Sequence, residues 1–211
     1  YITLLFTFSY VVGHAQEMKV PIRKEVRIVT NDSTIVTEVL VGDIPIASIS
    51  ENKRYYWYKN DEIKSNLGGY YGKLLDGKFE LVKNGNLILS GSLSKGLKNG
   101  RWKRWKEDGG YIELIDWKDG AIEGEYRNYN DEGKQISFYN YEKGRKHGKY
   151  QEWDEKGMLT ESGNYKNGKK HGIQKTYATD GSFSKEKYNA GVLKIDSKEV
   201  EDGKEDKGRL G

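Results

Sequence analysis

Two histidines, His147 and His171, are the residues best suited to metal binding or general-base chemistry, because imidazole serves both roles near neutral pH. They sit 24 positions apart in matching G-x-x-H-G stretches. If matching positions of neighbouring hairpins lie two strands apart, the pair is separated by roughly 9–10 Å. Two ligands of one zinc ion each lie ~2 Å from it, so both histidines read as turn residues. Cysteine is absent, which removes thiolate ligands, a thiol nucleophile and a disulfide framework together. No G-x-S-x-G elbow occurs, and no glycine cluster opens a helix after a strand as a phosphate loop or dinucleotide fingerprint requires. None of the 32 acidic residues stands in an apolar setting that would raise its pKa for acid catalysis. The expectation is a protein without enzymatic activity, metal or cofactor.

Aromatic rings are the remaining chemistry, and they are periodic. Trp102, Tyr126 and Tyr150 form one series; Trp105, Tyr129, Trp153 and Tyr177 a second; Trp117, Tyr141 and Tyr165 a third, with Tyr188 closing it. The first two are offset by an odd number of residues, which in a strand means opposite faces unless a bulge intervenes. Rings stacked across strands stabilise by about 0.2–1 kcal/mol per pair. Rings left open suit protein contacts or sugar rings.

The elements that hold these rings follow from glycine. It supplies 26 of the 211 residues, against a usual ~7%. Gly96, Gly120, Gly144 and Gly168 recur in steps of 24, as do Gly100, Gly124, Gly148 and Gly172, and again Gly85, Gly109, Gly133, Gly157 and Gly181. In the unit from Gly96 to Asp119, residues 100–106 read as a strand, Glu107 to Gly110 as a turn, and Tyr111 to Trp117 as a second strand. Lys118, Asp119 and Gly120 open the next turn, expected to close at Gly124. A helix is excluded, because each interior glycine would cost about 1 kcal/mol. One hairpin cannot bury its own face, so neighbours must join edge to edge. The fold class expected is all-β: an elongated single-layer antiparallel sheet of tandem 24-residue hairpins.

The stretches Gly144-Arg-Lys-His-Gly-Lys-Tyr150 followed by Gly157, and Gly168-Lys-Lys-His-Gly172 followed by Gly181, resemble the MORN-repeat family, in particular its bacterial YwqK-type antitoxin variant. Gly96 to Trp102 and Gly120 to Tyr126 match with the histidine replaced. The likeness covers about residues 70–193, and Gln174 stands where the first ring of the last unit belongs, as in a capping repeat. The resemblance implies a single-layer sheet used for binding, with no shared catalytic residues.

The flanks complete the plan. Residues 1–15 read as a signal peptide with its start missing: an apolar run from Ile2 to Val12, then Gly13 and Ala15 at the −3 and −1 positions of a cleavage site. The run is too short to span a bilayer, and no second one follows. Export to the periplasm or surface of a Gram-negative cell is expected, which sits badly with a cytosolic antitoxin. Residues 16–69 read as a β-rich N-terminal cap, 70–193 as the repeat sheet, and 194–211 as a disordered charged tail.

Lys plus Arg is 36 and Asp plus Glu is 32, giving +4, a balance that does not point to nucleic acid. Alternate turns carry Glu107, Asp108, Asp131, Glu132, Asp154, Glu155 and Asp180 on one edge. The other edge carries Lys98, Arg145, Lys146, Lys169 and Lys170, interrupted by Glu123. The function expected is a scaffold or binding module that meets another envelope protein through its rings. The alternatives are a carbohydrate- or peptidoglycan-binding protein, neutralisation of a partner toxin, and self-association into a strip.

Overall fold

The computed structural model describes residues 21–42 and 49–195. The expected signal peptide and residues 196–211 of the expected tail lie outside the described residues.

Strands β1 (Arg23–Val29) and β2 (Ser33–Leu40) form a first hairpin, and β3 (Arg54–Lys59) and β4 (Glu62–Leu67) a second. The long strand β5 (Lys73–Lys83) follows, then β6 (Asn86–Ser94), β7 (Leu97–Trp105), β8 (Tyr111–Lys118), β9 (Ala121–Tyr129) and β10 (Gln135–Glu142). The series ends with β11 (Arg145–Trp153), β12 (Leu159–Lys166), β13 (Lys169–Tyr177), β14 (Phe183–Asn189) and β15 (Val192–Lys194). Among the described residues there is no helix, and so none long and apolar enough to cross a membrane. The strands make one open antiparallel sheet in the order β1-β2-β5-β6 and onward to β15, with β3 and β4 off this path. Strands β7, β9, β11 and β13 begin 24 residues apart.

The glycines act differently from expectation at one place per unit. The turn after β8 is only two residues, Asp119 and Gly120, with φ of 48° and 80°. Positive φ at both central residues is the hairpin turn whose twist matches that of its strands. The turn therefore closes at once and does not run to Gly124, which lies inside β9 with φ of 106°. There it makes a bulge: Trp117 pairs Ile122 and Ile115 pairs Tyr126, so four steps on β9 oppose two on β8. The same step recurs opposite Gly100, Gly148 and Gly172. Each tight turn also folds back on the strand two away, with Gly120 N donating to Lys98 O at 2.9 Å and Gly168 N to Lys146 O at 2.8 Å.

Cross-strand partners share a face, and one row can be followed across the sheet. Phe79 faces Gly91, and the row continues through Trp102, Ile115, Tyr126, Tyr139, Tyr150 and Gly163. Large rings alternate with glycine where space is shortest. A Cβ on Gly91 would strike the Trp102 indole, and one on Gly163 would strike the Gln174 amide. Trp102 is consequently 5% exposed and Tyr150 1%.

The sheet is not one layer thick along its whole length. Strand β3 pairs with the start of β5 through Trp57 and Leu74, and Tyr56 N donates to Gly96 O at 2.8 Å. This folds the β3–β4 hairpin over the first face. Tyr56, Tyr58 and Ile63 pack on a core of Val39, Leu75, Phe79, Leu93 and Trp102, while Tyr55 and Trp57 close a second cluster with Leu40 and Leu74. Among the described residues the aliphatic side chains are concentrated at this end, and it is there that a second layer forms.

Trp102→Ala should cost about 3–5 kcal/mol in chemical denaturation, and Gly91→Val should destabilise by a comparable amount through the indole it displaces. Trp105→Ala, on the opposite face, should cost distinctly less.

Candidate functional site

The three ring series divide between the two faces. The first and third share one face, because a residue and its second neighbour along a strand point the same way. Tyr126 lies 6.2 Å from Tyr141, and Tyr150 lies 4.8 Å from Tyr165. Tyr139, which the periodic reading missed, joins them, stacked on Tyr150 at 5.9 Å with an 8° tilt. Its signal was available as the ring one strand over from Tyr126 and Tyr150 in the pairing register.

Three phenols of this face find acceptors on it, while the buried Trp117 indole N–H has no partner among the described residues. Tyr126 donates to Glu113 at 2.9 Å and Tyr150 to Glu161 at 2.7 Å, while Tyr139 donates to Glu152. Burial, reinforced by the Glu113 carboxylate, pushes the Tyr126 phenol up to about 12. Burial and their glutamates raise Tyr139 and Tyr150 as well.

The residues expected on a basic edge are split by strand alternation. Lys98, Lys146 and Lys170 turn onto the tyrosine face as cation–π partners. Lys98 Nζ lies 4.3 Å from the Trp102 ring and 5.0 Å from that of Trp117, and Lys146 Nζ lies 3.3 Å from the Tyr139 ring. Lys170 sits between Tyr150 and Tyr188 and pairs with Glu161. The matching slot of the second unit holds Ile122, so the interruption is there and not at Glu123. Desolvation lowers the pKa of Lys98 and Lys146. Burial alone would raise Glu161, but bonds from Lys170 and Tyr150 outweigh it and hold the carboxyl below its usual value. Arg145 and Lys169 alternate to the other face. In the ring slot, Gln174 is 2% exposed and donates to the carbonyls of His171 at 3.0 Å and Asn164 at 3.2 Å.

The acidic edge is occupied by its own turns. Glu107 pairs with Lys83 at 2.9 Å, Asp131 with Lys106 at 2.8 Å and Glu132 with Lys134 at 2.8 Å. Asp108, Asp154 and Asp180 accept backbone N–H groups inside their turns, and Glu155 accepts from Asn130 of the preceding turn.

The second face carries the second ring series. Trp105 stacks on Tyr111 at 5.6 Å, Tyr111 meets Tyr129 at 5.9 Å, and Tyr177 meets Phe183 at 5.8 Å. Trp153 holds the matching position of β11. These rings reach solvent: Tyr111 is 39% exposed and Phe183 48%. Arg101 binds Asp116 through two bonds of 2.7 and 2.8 Å on this face, which holds the Asp116 carboxyl below its usual range. His147 and His171 also lie here, in strands and not in turns, with His147 Nδ1 3.3 Å from Glu142. Among the described residues no group of three His, Asp or Glu side chains is placed to hold a metal ion.

Comparison of the chain with protein-family models and with curated proteins finds no match.

Asp116 has a lower pKa folded than unfolded, so the unfolded chain binds more protons as pH falls toward the folded value. Its contribution is present above the unfolded pKa and is lost below it. The melting temperature should therefore drop more steeply below about pH 4 in the wild type than in Asp116→Asn. Lys98 has the opposite sense: its charged form is penalised in the fold, so stability rises with pH as the lysine loses its proton just below its unfolded pKa. Lys98→Met should remove that rise in a melting-temperature profile.

Proposed function

We propose that this chain is a non-enzymatic, exported binding scaffold built from tandem hairpins of the MORN type. It works through the second face of the sheet. The single observation that carries this reading is the unequal treatment of the two sets of rings. Tyr126, Tyr139, Tyr150 and Tyr165 are packed on one another, the first three are bonded to glutamates, and lysines lie over the last three. Trp105, Tyr111, Tyr129, Tyr177 and Phe183 form clusters over which no second layer lies among the described residues, and Tyr111 and Phe183 are exposed. A sheet that has used one set for its own cohesion has only the other to offer.

Partner recognition through such rings relies on rigid apolar area with polar tips, and a few of them carry most of the energy of an interface. A partner in the cell envelope fits the expected export signal. Neutralisation of a cytosolic toxin fits it poorly.

The full chain used as bait against envelope extracts should retain a dominant partner. Trp105→Ala and Trp153→Ala should each weaken that retention at least tenfold. Tyr141→Ala on the other face should lower thermal stability and leave retention by the folded fraction unchanged. Equal retention by all three variants, or turnover of a substrate in a hydrolase panel, would contradict the reading.

A further inference from the structure

The C-terminal part of the second face carries a concentration of positive charge that the near-neutral composition hides. Strands β10 to β15 contain four carboxylates: Glu142, Glu152, Glu161 and Glu186. Glu152, Glu161 and Glu186 lie on the tyrosine face, where they accept from Tyr139, Tyr150 and Tyr188. Glu142 alone turns to the second face, beside His147. The cations are distributed the other way. Lys149, Lys175, Lys185, Lys187 and Lys194 occupy the second face, with Arg145, Lys166 and Lys169 at its tight-turn end. Among the described residues none of these makes an ion pair.

Register makes this arrangement costly. Lys175 lies directly opposite Lys185, Lys187 opposite Lys194, and Lys166 opposite Lys169. Like charges in directly opposed positions destabilise a sheet. Phe183 relieves one pair in part, with Lys175 Nζ 4.9 Å and Lys185 Nζ 5.2 Å from its ring centre. No carboxylate of the described residues relieves the others.

The same lysines rim a concavity. Lys149, Lys175 and Lys185 stand around a hollow of about 580 Å³ whose lining also includes Gln151, Ser162, Asn164, Ile173 and Tyr150. A second hollow of about 550 Å³ adjoins it between His171, Lys187 and Lys194. The uncharged polar groups lining the first hollow are thus amide and hydroxyl, set beside the exposed Ile173, and its one ring, Tyr150, is almost fully buried.

We infer that this hollow binds an acidic polysaccharide, with Lys149, Lys175 and Lys185 pairing its carboxylates and Gln151, Ser162 and Asn164 bonding its hydroxyl groups. The inference rests on the binding-scaffold reading and gives its second face a ligand class. A row of opposed lysines suits an anion repeated along a chain, and amide and hydroxyl groups beside the exposed Ile173 match a sugar polymer, which has both hydroxyls and apolar ring faces. Single-stranded nucleic acid would supply the charge, but it binds through open rings on which bases stack, and the one ring lining the hollow, Tyr150, is buried.

The test uses the full chain and polygalacturonate, with neutral galactan and single-stranded DNA of similar length as controls, read by calorimetry at two salt concentrations. Polygalacturonate should bind, galactan should bind at least tenfold more weakly, and the affinity for polygalacturonate should fall as salt rises. Lys149→Gln should weaken binding severalfold and Lys185→Glu at least tenfold. Lys185→Glu places opposite charges at positions 175 and 185, so it should also raise the melting temperature by about 1–3 °C. That gain separates lost binding from lost folding. No binding, equal binding of galactan, tighter binding of DNA, or unchanged affinity in Lys185→Glu would overturn the inference. New reducing ends in the polygalacturonate, with the lysine dependence intact, would instead overturn the non-enzymatic reading and leave the lysine site standing.

Discussion

A sheet without a second layer must bury its side chains against one another along its own surface, and the rest of this structure follows from that constraint. Aliphatic side chains touch across strands ~4.8 Å apart but keep their outer surface in water unless something lies on top of them. Rings are long and flat enough to cover one another, and Tyr150 is almost fully buried between Tyr139 and Tyr165 with no second sheet above it among the described residues. Each ring needs room on the next strand, supplied by glycine opposite Trp102 and beside Tyr150. Alternation along β10 puts Tyr139 and Tyr141 on one face, and Tyr141 stands opposite Gly124, so that both reach Tyr126. Where aliphatic residues do form a core, around Leu75 and Leu93, the β3–β4 hairpin supplies the missing layer.

Packing tyrosines in this way fixes the electrostatics of the whole sheet. A half-buried phenol keeps a hydroxyl that needs an acceptor, and Glu113, Glu152 and Glu161 provide it. Negative charge brought onto that face then favours the lysines laid over the rings. The other face is left with fewer carboxylates than cations, most clearly from β11 onward. The unpaired lysines there can be read as a consequence of how the first face holds together, and the opposed Lys175–Lys185 pair as the point where stability gives way to binding.

Much of this architecture was legible in the sequence. Turn glycines and recurring rings locate the strands to within a few residues, and the odd offset between Trp102 and Trp105 separates two ring series onto two faces. Two things were not legible. Gly100 and Gly124 look like turn residues, since nothing in a single sequence distinguishes a positive φ in a turn from one in a bulge. The charge of the faces was hidden because net charge sums over both. Arg145 and Lys146 are neighbours in the chain, yet strand alternation sends one to each face. The grouping of Lys149, Lys175 and Lys185 depends on pairing register across four strands, which no short motif encodes.

The central claim is that the two faces differ, one closed by its own rings and the other open and basic. Amine acylation of the native chain, read residue by residue by mass spectrometry, measures this most directly. Lys149, Lys185 and Lys187 should react at the rate of free lysine. Lys98, Lys146 and Lys170 should react at least tenfold more slowly until the chain is unfolded. Equal reaction of the two sets in the native state would contradict the account.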